Sequence, residues 1–316
     1  GVGLMENAPR AGAMDVSPAA RERTDEGPFE ETPDSFGVVG VVGAGEIGLG
    51  VAADLALNGF RVVLVDNDPA QLATAATSLV KVIRFAPMLR PGFPAGPSAA
   101  VEAVTISSNP AELASCRFVV ENVTERWEAK REAHRALDAV LPEGAVVAVN
   151  TSSIPISGLA SETSRAEHMI GMHFMNPPYL TPAVEVMRPA AASAWTLGRV
   201  ETLARLLRKK TIVVGDFPGF VSNRISHVFF NEAARVVAEH EVPPEIVDQV
   251  FRDCFGHRMG PLQTADLIGL DTVVDTLDRL REATGDPRFE SCALLRSMVG
   301  EGRLGRKSTS GFYTYE

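Results

Sequence analysis

The pair of residues best equipped to move a proton in this sequence is a histidine followed twelve residues later by a glutamate. His173 lies in "GMHFMNPPYLTPAVEV" (Gly171–Val186), where Pro177 and Pro178 interrupt an apolar, strand-like run and alternation resumes around Glu185. A strand–loop–strand return of this length can bring the two side chains together. A carboxylate bonded to one imidazole nitrogen fixes the tautomer and makes the other nitrogen a better base. Either residue alone is more often a packing or surface residue. Together they suit general base catalysis near neutral pH, as in removing a hydroxyl proton while hydride leaves the same carbon. The other histidines, His134, His168, His227, His240 and His257, fall in expected helices, helix ends or loops.

A hydride needs an acceptor, and "GAGEIG" indicates one. Gly43, Gly45 and Gly48 stand in G-x-G-x-x-G spacing after an apolar run. The first glycine permits a tight turn, the second lets backbone approach a pyrophosphate, and the third lets helix pack on strand. The helix opening at Glu46 and Ile47 would aim its N-terminal N–H groups at that phosphate. Asp66 ends the next apolar run, where a carboxylate can accept from ribose hydroxyls and would repel a 2′-phosphate. The expected cofactor is NAD.

The elements that must hold these groups follow from hydrophobic periodicity. Expected strands are 37–42, 61–66, 118–123, 145–150, 169–174, 183–187 and 211–216. Helices are expected at 69–84, 127–141 and 193–209, with a Pro/Gly loop, "APMLRPGFPAGPS", after the first of them. Such alternation implies a mostly parallel sheet with helices on both faces, and His173 then sits at the carboxyl end of a strand, where ligands of open sheets bind. After Asp216 the strands stop, and helices are expected at 219–239, 244–254 and 262–284. The fold class is α/β, a Rossmann-type doubly wound domain over 37–216 followed by an all-helical domain over 217–316.

Residues 1–36 hold eight Asp and Glu against three Arg, which is half of the whole chain's net charge of −10. This Pro- and Ala-rich stretch reads as a disordered acidic tail. Nothing in the charge pattern favours nucleic acid. No apolar run approaches the roughly 18 residues that span a bilayer, and no basic-then-apolar signal pattern is present. Cys116, Cys254 and Cys292 are far apart and in no metal-ligand spacing, as expected of reduced thiols in a cytoplasmic protein.

The motifs "GAGEIGLGVA", "VVENVTER", "NTSSI", "GMHFMNPP", "VEV", "PGFVSNR", "MGPLQTADLIGLD" and "GRKSTSGFY" occur in the order found in L-3-hydroxyacyl-CoA dehydrogenases. From Gly40 to the C-terminus the chain resembles that family, including its bacterial 3-hydroxybutyryl-CoA dehydrogenases. The resemblance implies oxidation of a short 3-hydroxyacyl thioester, with His173 and Glu185 as the catalytic pair. It further implies that Ser152 and Asn223 bond the substrate oxygen, that Glu121 and Asn176 line the nicotinamide end, and that Lys307 lies near the cofactor. A homodimer formed through the C-terminal helices is also implied.

Two stretches depart from the family pattern. Ser78 fits the serine of the family's coenzyme A-contacting arm, but Phe85 stands where a lysine seven residues on is usual, with Lys81 and Arg84 nearby. "YLTP" replaces the usual "V-M-K-L" after the N-P motif. "ENVTERW" and "CFGHRMGPLQTADLIGLD" resemble a branch acting on glyceryl groups bound to an acyl carrier protein in polyketide extender-unit synthesis, with Arg84, Arg90 and Arg188 as candidate docking cations. A sugar-acid (gulonate-type) dehydrogenase and a catalytically silent NAD-binding protein are the remaining alternatives.

Overall fold

The computed structural model describes residues 31–316. Eight strands form one sheet in the order β3-β2-β1-β4-β5-β6-β7-β8. They are β1 (Val38–Val42), β2 (Arg61–Val65), β3 (Val104–Ser107), β4 (Phe118–Glu121), β5 (Val146–Val149), β6 (Met169–His173), β7 (Ala183–Arg188) and β8 (Lys210–Gly215). β4 and β5 are buried along their whole length, as parallel strands covered on both faces must be. One face carries α1 (Glu46–Leu57), α2 (Pro69–Leu89), α3 (Pro97–Glu102) and α6 (Ala194–Leu206), with Leu55, Leu64, Ile83 and Leu203 in its core. The other carries α4 (Trp127–Val140) and α5 (Ile156–Ala160) over Val119, Val147 and Leu159.

The sheet reverses once. β6 and β7 pair antiparallel while β7 and β8 pair parallel, so the last two strands run against the first six. β3 was not expected from the sequence, because at the sheet edge three of its four residues are only half-buried and Thr105 is exposed. α2 runs to Leu89 rather than stopping near Arg84. Pro87 lies in its last turn, where it gives up the one N–H bond that would reach the Ile83 carbonyl, while Arg90 N–H still reaches the Ala86 carbonyl. This helix also corrects the apolar-run expectation. Its 21 residues are long and apolar enough to cross a bilayer by length and composition alone. Its Leu79 and Ile83 are instead buried in the sheet's core, and Phe85, Met88 and Leu89 are exposed.

The C-terminal part is helical: α7 (Ser222–His240), α8 (Pro244–Phe255), α9 (Pro261–Ile268), α10 (Leu270–Thr284) and α11 (Ala293–Gly300), packed around Leu262, Leu277, Phe289 and Leu295. The single helix expected over 262–284 is broken at Gly269, whose φ of +104° no helix can include.

Most of the expected acidic tail lies outside the described residues. Its last part is ordered: Pro33–Phe36 forms a 3₁₀ turn, and Phe36 is buried edge-on to Phe60 and Phe118. One aromatic anchor at the end of a polar stretch suffices to fix it.

Candidate active site

The glycine-rich turn joins β1 to α1 at the sheet's carboxyl edge. A Cβ on Gly48 would stand 1.9 Å from the Gly43 carbonyl oxygen, so helix and turn can approach this closely only without a side chain there. A Cβ on Gly45 would meet nothing within 4 Å, leaving the backbone open to a ligand. A cavity of about 590 Å³ lies against this turn, lined among others by Gly43, Gly45, Glu46, Ile47, Gly48 and Asp66. Asp66 accepts from the N–H groups of Ala44 (2.6 Å) and Asp68 (2.8 Å), which fixes its carboxylate at the cavity wall. An open turn at a helix N-terminus and a carboxylate one strand away fit the pyrophosphate and adenosine ribose of NAD.

The cavity wall continues through Asn122, and a polar chain leads from there to the histidine. Asn150 Nδ2 donates to Asn122 Oδ1 (2.8 Å), and Asn150 Oδ1 accepts from Phe174 N–H (3.1 Å). His173 and Glu185 are directly opposed residues of the β6–β7 pair. His173 Nδ1 lies 3.1 Å from Glu185 Oε2, and both side chains are buried. A carboxylate only accepts, so Nδ1 carries the proton and Nε2 keeps its lone pair. That lone pair faces Ser152 Oγ at 3.3 Å.

Glu185 is held on its other side by the first turn of α7. Its Oε1 accepts from the N–H groups of Val221 (3.0 Å) and Ser222 (3.1 Å), and Ser222 Oγ donates to Oε2 at 2.5 Å. Burial pushes this carboxyl up, but the bonds from His173 and Ser222 outweigh it and hold Glu185 below the usual glutamate range. Asn223, one residue on, donates to the Ser152 carbonyl at 2.6 Å. His173, Glu185, Ser152 and Asn223, far apart in sequence, therefore meet in one cluster.

Other expected residues lie elsewhere. Asn176 faces the cavity wall, where its Nδ2 donates to Glu46 Oε1 at 2.9 Å. Glu121 does not line the cavity. It is fully buried beneath it, with its oxygens on Lys130 Nζ (2.9 and 3.2 Å), His134 Nε2 (2.9 Å) and Val123 N–H (2.5 Å). Burial raises its pKa, yet Lys130 and His134 prevail and hold it low, since an unpaired charge could not be buried there. Lys307 is not among the residues lining the cavity, and it pairs with half-buried Asp271 at 2.5 Å. Ser78 is half-buried on α2, and none of the described hydrogen bonds of the site reaches it. Of the candidate docking cations, Arg84 is exposed, but Arg90 donates to the carbonyls of Tyr179, Leu207 and Arg208, and Arg188 to that of Ala192.

Two positioning residues were missed from sequence. Glu125 gathers the Ser152 turn onto one oxygen, which accepts from Thr151 Oγ1 (2.7 Å), Ser152 N–H (3.0 Å), Ser153 N–H (2.9 Å) and Ser153 Oγ (3.1 Å). Ser222 is the other. Its only sequence signal was its place beside Asn223 in "PGFVSNR". Among the described residues no group of three His, Cys, Asp or Glu could hold a metal ion.

Fold and cavity together define a dinucleotide-dependent dehydrogenase. The chain belongs to the 3-hydroxyacyl-CoA dehydrogenase family: residues 38–217 match its NAD-binding domain and 219–315 its C-terminal domain. It is 38% identical over 276 residues to a probable 3-hydroxybutyryl-CoA dehydrogenase of Bacillus subtilis, covering 87% of this chain and 96% of that one. A 3-hydroxybutyryl-CoA dehydrogenase of Bradyrhizobium diazoefficiens is 37% identical over 277 residues, covering 88% of this chain and 94% of that one. The crystal structure of (S)-3-hydroxybutyryl-CoA dehydrogenase from Ralstonia eutropha superposes with a TM-score of 0.82 at 36% identity, over 88% of this chain and 99% of that one.

Proposed function

We propose that this chain oxidises the 3-hydroxyl of a short 3-hydroxyacyl thioester to the 3-oxoacyl thioester, with coenzyme A as the carrier. The single observation that carries the reading is the His173–Glu185 rung, with the free imidazole nitrogen turned toward Ser152 Oγ. The names of the Bacillus and Bradyrhizobium relatives support the substrate class.

NAD, when bound, supplies the hydride acceptor. Ser152 Oγ and the uncommitted part of the Asn223 amide hold the substrate oxygen, and His173 Nε2 takes its proton. The Glu185 carboxylate, fixed by three donors from α7, stabilises the imidazolium that results. In the reverse direction His173 returns that proton to the C3 oxygen. The occupied hydrogen bonds of Arg90 and Arg188 count against the carrier-protein alternative.

The same reading includes a homodimer. Val221, Ile225, Val250, Phe255 and Leu267 are exposed on the helical part, and a second copy covering them would remove that apolar surface from water. A light-scattering mass of one protomer would exclude it. The three free cysteines fit a cytoplasmic placement.

The test is NADH formation with (S)-3-hydroxybutyryl-CoA, glyceryl-carrier protein and gulonate side by side. Turnover of the coenzyme A ester at a kcat/KM well above the others is expected. Turnover of gulonate alone, or of nothing despite NAD binding, would overturn the reading.

A further inference from the structure

A second group of buried charges lies on the opposite face of the sheet from His173, and nothing in the chemistry above uses it. Asp54, on α1, is fully buried. Its Oδ2 lies 2.9 Å from Lys209 Nζ, and its Oδ1 lies 3.8 Å from Arg90 Nη1. Lys209 spends its other two N–H donors on backbone carbonyls, those of Pro178 (2.5 Å) and Thr181 (2.7 Å). Arg90 donates to the Tyr179 carbonyl at 3.0 Å and, through Nη2, to those of Leu207 (3.3 Å) and Arg208 (3.1 Å). Three carbonyls within four residues of one loop are thus held by two cations balanced by one carboxylate.

That loop is "NPPYLTP", the connection from His173 to Glu185. It begins at Asn176, which is bonded to Glu46 at the cavity wall. Pro178 rests on α1 so closely that a Cβ on Gly50 would come within 2.7 Å of its ring. The turn after α6 is drawn into the same cluster. Arg208 holds a φ of +57°, which a non-glycine residue adopts at a cost of about 1 kcal/mol, and its guanidinium donates to Gly92 O at 2.9 Å. Burial pushes the Asp54 carboxyl up and the Lys209 ammonium down, each opposed by the partner's charge. A buried ion pair contributes little net stability compared with apolar residues of the same volume. Stability alone does not account for this arrangement, whereas fixing a loop does: no apolar side chain could hold those carbonyls.

We propose that Asp54, Lys209 and Arg90 are positioning residues that clamp loop 176–182 and so set Asn176 at the nicotinamide end of the cofactor site. The proposal rests on the placement of the nicotinamide beside Asn176, not on the identity of the thioester. Lys209 supplies the donors, Asp54 offsets the charge, and Arg90 ties in the end of α2.

The test compares calorimetric binding of NADH with that of ADP-ribose, which lacks only the nicotinamide. The neutral pair Asp54→Asn/Lys209→Met removes the carbonyl donors without stranding a buried charge. NADH affinity should fall at least fivefold while ADP-ribose affinity stays within twofold, and Asn176→Ala should show the same pattern. Arg90→Met, at a partly exposed side chain, should fall in the same sense, and it decides the matter if the double variant fails to fold. Equal losses for both ligands, or for neither, would overturn the proposal. Wild-type failure to oxidise any thioester would refute the proposed substrate while leaving these binding ratios meaningful.

Discussion

His173 Nδ1 and Glu185 Oε2 lie 3.1 Å apart because the residues that bear them are directly opposed on β6 and β7, the one antiparallel pair in the sheet. Opposed residues of an antiparallel pair project to the same face with their Cβ atoms about 5 Å apart. A parallel neighbour would have needed a long crossover to return. The reversal lets a short loop deliver both partners.

Replacing His173 with Ala removes the base proposed to take the hydroxyl proton. The expected loss in kcat is about 10²–10⁴-fold, with little change in NADH affinity. A loss below tenfold in steady-state NADH formation would contradict the assignment.

Glu125 accepts four hydrogen bonds from the turn that carries Ser152, so Glu125→Ala should loosen that turn rather than the cofactor cavity. KM for the acyl substrate should rise about tenfold or more, at a stability cost of about 1–3 kcal/mol. An unchanged KM would mean that the turn holds without it.

Asp66→Ala removes the carboxylate expected to receive the ribose hydroxyls. KM for NAD should rise about tenfold, consistent with the loss of one or two charge-assisted bonds, and the preference over NADP should shrink. Parallel titrations with the two cofactors measure both effects.

His227 gives a pH prediction. It lies one turn beyond Asn223 on α7, where its Nδ1 donates to the Asn223 carbonyl and its Nε2 finds no partner among the described residues. Burial pushes its pKa down from 6.5 to about 4. The unfolded chain therefore binds a proton between those values that the folded chain does not, so stability falls as pH drops through that window. At pH 5 the penalty is about 2 kcal/mol relative to pH 7. His227→Leu should flatten the dependence of Tm on pH between 7 and 5. A variant with the same slope as the wild type would show that other groups set it.

Much of this was legible before the structure. "GAGEIG", Asp66 and the His173–Glu185 spacing are local patterns whose geometry follows from strand and turn rules, and all of them lie where those rules place them. Glu121 and Glu125 show where reading fails. Glu121 ends β4 and Glu125 follows it, but Lys130 and His134 of α4 turn the first inward, while the turn at Thr151–Ser153 draws the second to itself. Lys307 is a further case of a partner that spacing does not reveal, since it bonds Asp271 from a distant part of the sequence. α2 runs into the Pro/Gly-rich stretch expected as a loop, because one backbone bond lost at Pro87 does not end a helix whose last turn still closes from Arg90 onto Ala86.

One consequence follows from the bonds that Val221 and Ser222 make to Glu185. The first turn of α7 is at once the start of the helical part and the support of the base's carboxylate. Any motion that swings α7 away to admit a bulky thioester would take Asn223 off Ser152 and strip Glu185 of three donors in the same movement. A gaping enzyme of this design would be disarmed, and the chemistry would be rebuilt only as the cleft shuts on its cargo.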